Sequence, residues 1–510
     1  MAYLIGIDVG TSGTKTVLFD ETGKALASAT EEYPLLTPNP GWTEQVPEDW
    51  WQATVKSIQA VLSQSGIPAG EIKGIGLSGQ MHGSVFLDDK NQVVRPAILW
   101  NDSRTAAECD EITQTIGEKR LLDLASNPAL TGFTAPKAVW LKNKEPENFK
   151  KTKTLCLPKD YIRYRLTGEM AMEVSDGAGT LLFNVKQRNW SEEILDALGI
   201  PRQWMPPIQE STDVIGGVTA EVAALTGLKP GTPVVGGGAD NACGATGTGV
   251  VVEGRVLSSI GTSGVILGPM QSPQTDPEGR AHTFCHSVPN VWYLMGVVLS
   301  AGMSLRWYRD IVADSERSQA SQAGCDPYEI LTRLAQSAPV GSEGLIFLPY
   351  LTGERTPHKD PHARGGWIGL TIRHQRAHLI RAVLEGITFA MRDSLEILKA
   401  QGVEVKEVRA TGGGAKSAFW KQLQADIYGC EIATISSDQG PAFGAAIMAG
   451  VGTGVYGSIP EACDAIIRVV ERTAPNAANA KEYNEYYEVY RNLYPSIRSA
   501  CHTLSHKVSA

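Results

Sequence analysis

Two short tetrads carry the first chemical signal in this chain: Gly10-Thr11-Ser12-Gly13 near the start and Gly261-Thr262-Ser263-Gly264 past the middle. Each follows a strand-like run, YLIGID at 3–8 and RVLSSI at 255–260. Glycine permits a tight turn, and such a turn leaves hydroxyls and backbone N–H groups free to face an anion. A pair of these hairpins suggests a phosphate chain clasped between two similar halves. Nucleotide chemistry is the reading they favour.

Two carboxylates stand where that chemistry needs them. Asp8 closes the first strand directly ahead of its hairpin, where a carboxylate can hold a hydrated Mg2+ against nucleotide phosphates. The alternative is a turn aspartate that bonds its own backbone. Asp240 follows Gly236-Gly237-Gly238-Ala239, and bare backbone there lets a substrate come close. One carboxylate at that point can accept the proton of an attacking hydroxyl, as phosphoryl transfer to an alcohol requires. Asp240 also suits the N-cap of a following helix, and the two roles can coexist. Lys15, on the strand after the first turn, can reach a transferring phosphoryl group or simply sit in solvent.

Met81 and His82 lie in the loop GQMHG (79–83), at the C-terminal end of the strand IKGIGLS (72–78). Ligands of open sheets collect at such ends, although a structural histidine is the commoner occupant. Trp100, in WNDSR at 100–104, is expected mostly in the core, while its ring face also suits a sugar. Gly412, Gly413 and Gly414 open a strand–turn–helix where adenine or ribose can lie against bare backbone. HTFCH at 282–286 has metal-like spacing but neither a helix signature nor a third ligand nearby, so no metal is expected there. Tyr483, Tyr487, Tyr490 and Tyr494 read as one packing face of a helix.

These residues need a scaffold. Residues 3–31 read as a β-meander. A helix is expected from near Pro47 to near Gly66, with Trp51, Val55, Ile58 and Leu62 along one face. Residues 233–236 read as a buried strand, 376–399 as a long helix, 408–429 as strand, glycine turn and helix, and 441–450 as a helix. The polar stretch 313–327 is expected to be a loop insertion. Together these give two α/β halves hinged near 240–255, with a sequence repeat confined to the hairpins.

The 510 residues allow two or three domains. A net charge of −9 argues against wholesale binding of nucleic acid or anionic membrane, yet leaves room for a local basic nucleotide pocket. The eight cysteines show no CxxC or zinc-ligand spacing, and no basic n-region opens the chain. Reduced thiols in the cytoplasm, with no membrane span, are therefore expected.

The set of motifs is similar to the FGGY carbohydrate kinases, within the actin, hexokinase and heat-shock chaperone ATPase superfamily, from about residue 3 to about residue 455. The family's second signature matches along residues 365–385 (GGWIGLTIRHQRAHLIRAVLE) and its first along 132–143 (GFTAPKAVWLKN). The first departs at Ala138 and Lys144, where a packing difference is expected. GQMHG, PAILWND (96–102), LPKDY (157–161), HTFCH and LPYLTGERTPH (348–358) resemble members that act on xylulose. Members that act on glycerol carry Arg-Glu in place of Met81-His82.

The resemblance implies two ribonuclease-H-like α/β domains around a central cleft, here residues 1–247 and 248–510. It implies Asp240 as the base toward the sugar hydroxyl, and Asp8 as the aspartate associated with Mg2+, through water. It places Met81, His82 and Trp100 toward the sugar. Thr11, Ser12, Lys15, Gly261 and Thr262 fall on the phosphate hairpins, and Gly412, Gly413, Gly414 and Ser417 near the adenosine. The implied reaction is phosphorylation of D-xylulose at O5 by MgATP, with ribulose, another ketose or a polyol left open. A homodimer is implied by the family alone. An actin-like switch is disfavoured, because nothing after residue 475 is long enough for a peptide-binding domain.

Overall fold

The computed structural model describes residues 1–436 and 439–509. Leu4, Ile5, Ile7 and Val9 are all buried, so the Tyr3–Val9 strand has apolar cover on both faces. It pairs antiparallel with Gly13–Asp20, with Asp8 opposite Lys15, and Ala25–Glu32 completes the expected meander. On its other side Ile72–Gly79 runs parallel to it. Pro233–Val235 follows in parallel, and Val214–Gly217 closes the edge antiparallel.

The second sheet repeats this order. Gly254–Ile260, Gly264–Met270 and Trp292–Val298 form the meander. Val405–Gly412 and Glu431–Ile435 continue in parallel, and Val469–Thr473 is the antiparallel edge. The likeness that the sequence shows only at two hairpins is thus a likeness of whole sheets. Buried strands need apolar residues of about the right size in the right places, and many sequences meet that need.

The helix Pro47–Ser65 begins at its proline and ends at Gly66, whose φ of 64° is left-handed. Arg376–Ala400 spans the long helix that the periodicity predicts. Residues 314–323, expected to be a loop insertion, form the helix Asp314–Ala323, capped by Gly324 at φ 65°. Only Glu316 and Ala320 are buried in it, so it has almost no apolar stripe to read. The four tyrosines line the buried face of the Ala477–Ser509 helix. Three of their hydroxyls bond carboxylates, of Glu385, Asp393 and Asp360.

Two helices meet at the centre, Asp240–Gly247 and Pro441–Gly452. They touch backbone to backbone: a Cβ on Gly444 would lie 1.9 Å from the Cys243 carbonyl oxygen. A Cβ on Gly6 would likewise lie 1.8 Å from the Ala442 oxygen, so the late helix presses onto the first sheet. Leu4, Val17 and Phe19 share one apolar cluster with Phe443 and Ile447. Among the described residues no helix is long and apolar enough to cross a membrane.

Candidate active site

Both hairpins are built so that their carbonyls are tied down. In the first, Gly10 N donates to Gly13 O at 3.1 Å. Gln45 Nε2 reaches Thr11 O at 2.7 Å, and Gln80 Nε2 reaches Gly10 O at 3.3 Å. The Thr11 hydroxyl faces Gln80 and accepts the Trp100 indole N–H at 2.9 Å, whereas Ser12 is exposed. In the second hairpin, the N-terminal amides of the Gly302–Ile311 helix hold the carbonyls: Gly302 N meets Gly261 O at 2.9 Å, and Met303 N meets Thr262 O at 3.0 Å. Trp100 itself is 39% exposed and not a core residue as expected. Its N–H is committed to the hairpin, and its ring stays at the surface of the loop.

Asp240 opens the Asp240–Gly247 helix from inside its first turn; the N-cap is Ala239. The capping role expected of Asp240 is therefore not the one observed. Its Oδ1 accepts from Asn241 N at 2.7 Å and from Asn241 Nδ2 at 3.0 Å. Burial is the main force that pushes its pKa up to about 7; the charge of Asp8 adds to the rise, and the Asn241 N–H opposes it. Burial also raises the pKa of Asp8, against the pull of Ser78 and Lys15. Asp8 Oδ1 is buried and bonds nothing among the described residues.

The segment that delivers Asp240 is fixed by a buried charge network. Ala239 N donates to Ser175 Oγ at 2.9 Å, and Ser175 in turn bonds Glu173 at 2.7 Å. Arg163 Nη1 holds Gly236 O at 2.7 Å. The Lys159 ammonium, fully buried, sits 2.9 Å from Asp160, 3.3 Å from Glu173 and 2.8 Å from Asp176. Lys159 and Asp160 stand in LPKDY, but nothing in the sequence marks Arg163, Glu173, Ser175 or Asp176, because such a network exists only once distant segments meet.

Met81 is buried, and His82 takes a left-handed φ of 67°. Both pack over Gly179, where a Cβ would lie 2.9 Å from Met81 Cε. His82 Nδ1 is 2.6 Å from the Gly179 carbonyl oxygen. A carbonyl only accepts, so Nδ1 carries the hydrogen. Burial lowers the imidazole pKa to about 3, which leaves Nε2 as a bare acceptor. Lys137 Nζ gathers the His82 and Gly132 carbonyls at 2.9 and 2.8 Å, and Phe133 lies 4.7 Å from the His82 ring. Asn241 Nδ2 touches Met81 Sδ at 3.5 Å, which joins this loop to the Asp240 helix. In HTFCH, His282 bonds Asn127 and His286 bonds the Val250 carbonyl.

A cavity of about 730 Å³ opens on the second sheet's side. Gly261, Thr262, Gly413 and Ser417 line it, and so do Arg306, Tyr328 and Arg333. That volume suits a small-molecule ligand. Ser417 caps the Ala418–Tyr428 helix by accepting from Trp420 N. Gly412, at φ 73°, shapes the turn, and Gly414 packs on Ile260; neither forms the cavity wall. Arg306, Tyr328 and Arg333 come from helices with no motif to announce them. Asp8, Thr11, Ser12, Lys15 and Asp240 stand outside this cavity, on the first sheet's side.

Two sheets of one topology, each with a phosphate-type hairpin, define a two-domain α/β kinase of the actin and hexokinase type. The chain belongs to the FGGY family of carbohydrate kinases: the family's N-terminal domain matches residues 3–247 and its C-terminal domain residues 256–453. It is 44% identical to a xylulose kinase of Bacillus subtilis over 97% of both chains. A xylulose kinase structure from Brucella ovis, 36% identical, superposes with a TM-score of 0.90 over 98% of this chain and all of the other. Ligand-bound xylulose kinase from Lactobacillus acidophilus, 29% identical, gives 0.92 over 99% and 100%. As a family member the chain is an ATP-using carbohydrate kinase, and such kinases generally work with a divalent metal.

Proposed function

We propose that this chain transfers the γ-phosphoryl group of MgATP to O5 of D-xylulose. The observation that carries the reading is Asp240: a half-buried carboxyl whose pKa desolvation raises to about 7, joined through Asn241 to the Met81–His82 loop. A base whose pKa lies near the working pH takes a hydroxyl proton most effectively. In the step itself Asp240 takes the O5 proton, O5 bonds the γ-phosphorus, and ADP departs with the bridging oxygen's electrons. The two hairpins meet the phosphate charge with free N–H groups, and the Gly412–Ser417 turn, numbered 412–417, takes the adenosine. Since little covalent chemistry falls to the protein, positioning and preorganised dipoles provide most of the acceleration.

Asp8 fits a hydrated divalent cation, because its Oδ1 is a buried acceptor without a partner. Bound there, Mg2+ would offset charge on the phosphates. Residues 1–247 then form the sugar-binding half with the base and the first hairpin, and 248–510 the adenosine half. Eight free thiols suit the reducing cytoplasm.

A coupled ADP-release assay with MgATP tests the function across D-xylulose, D- and L-ribulose, glycerol and gluconate, with a sugar-free blank. A kcat/KM for D-xylulose well above the rest is the expected result. A preference for another sugar would keep the kinase and remove the ketose assignment of Met81 and His82.

A further inference from the structure

Arg355 lies in the loop between the Ile346–Leu348 and Gly366–Ile368 strands. The neighbouring Glu354 carboxylate is turned toward backbone: it accepts from Arg355 N at 2.7 Å and from Leu299 N at 2.9 Å. Among the described residues no acceptor bonds the Arg355 guanidinium and no carboxylate pairs with it. The residue is only partly exposed, and desolvation lowers its pKa. An arginine with five donors and no protein acceptor has its whole fork free for one from outside the chain.

Its position says which molecule supplies that acceptor. A Cβ on Gly132 would lie 3.9 Å from Arg355 Nη2 and 2.8 Å from the Trp100 carbonyl oxygen. Gly132 leads into Phe133, which packs on His82. Met81 contacts Asn241 on one side, and the run His82, Phe133, Gly132, Arg355 leads away from Asp240. Arg355 therefore stands at the Gly132 end of this run of contacts, with Asp240 and Asn241 at the other, and it reaches there from the second half of the chain.

We propose that Arg355 binds the carbonyl oxygen of the open-chain sugar, at the end remote from Asp240, and so selects a ketose over the corresponding polyol. The polarity of the two neighbours fits this pair of groups. A guanidinium only donates, and a carbonyl oxygen only accepts. His82 Nε2 only accepts, which suits a hydroxyl beside that carbonyl. Reducing the carbonyl to an alcohol leaves the arginine with a weaker, less well-aimed acceptor.

The inference rests on the ketose reading, and one set of variants separates the two. Arg355→Ala is expected to raise KM for D-xylulose about ten- to a hundredfold, with kcat within about threefold. KM for ATP, the control for folding, should stay unchanged. Competition by xylitol, the C2-reduced analogue, should weaken less than threefold. Arg355→Lys should fall between, since it keeps the charge but loses the fork. An unchanged KM for D-xylulose, a loss confined to kcat, or equal weakening of xylitol would each overturn the proposal. Failure of the ketose reading shows separately, as a wild-type chain with no rate on D-xylulose.

Discussion

The Trp100 indole N–H donates to the Thr11 hydroxyl across 2.9 Å. The loop that leads to Asn101 and Asp102 and the Gly10–Gly13 hairpin are thereby one hydrogen-bonded unit. Trp100→Phe keeps the ring and removes only the donor. It is expected to lower kcat/KM about two- to tenfold for sugar and ATP together. Steady-state kinetics with each substrate varied in turn checks this; a change confined to the sugar would mean the hairpin does not feel the loop.

Asp8 and Asp240 repel one another, and the repulsion adds to the rise of the Asp240 pKa toward 7. A base must be ionised to take a proton, so kcat/KM should climb about tenfold per pH unit below pH 7 and level off above it. A pH–rate profile with D-xylulose reads this directly. An acid limb near pH 4 would show an Asp240 in ordinary solvation.

The same shift is a statement about stability. Asp240 has a folded pKa above its unfolded one, so its contribution is fully present below about pH 4 and is lost as pH rises through 7. Asp240→Asn removes the ionisable group. Its Tm should exceed that of the wild type by more at pH 8 than at pH 5, while turnover falls by orders of magnitude. Thermal melts at the two pH values, beside the activity assay, test both halves; near-normal turnover would remove Asp240 from the role of base.

Lys159 holds three buried carboxylates together. Lys159→Met leaves Asp160, Glu173 and Asp176 facing only Arg163, and breaking a buried charge network in this way costs about 3–5 kcal/mol. Urea unfolding measures the loss. A stability within error of the wild type would show the network to be relaxed by water.

What the chain reveals of itself follows the range of each interaction. The hairpins are legible because the turn demands glycine at fixed spacing. The tetrad at 10–13 therefore announces itself before any fold is known. Asp240 is legible as a residue among glycines, but its raised pKa is not, since burial and the charge of Asp8 arise only on folding. Ser175, itself held by Glu173, bonds the segment ahead of Asp240 from far away in sequence, and no local pattern marks either residue. The Asp314–Ala323 helix went unread for the opposite reason: its stripe is one alanine and one glutamate. Arg355 stood inside a noted motif, LPYLTGERTPH, and only its unbonded guanidinium gives it a task.

The bare crossing of Gly444 over the Cys243 carbonyl bears on speed. Interdigitated side chains must change rotamer whenever two layers shift, and each change adds friction. Here smooth main chain rests on smooth main chain, beside Asp240 and at the junction of the two sheets. At this one contact a shift asks no side chain to change rotamer, so the resistance to movement of the Pro441–Gly452 helix lies in Phe443 and Ile447, packed with Leu4, Val17 and Phe19.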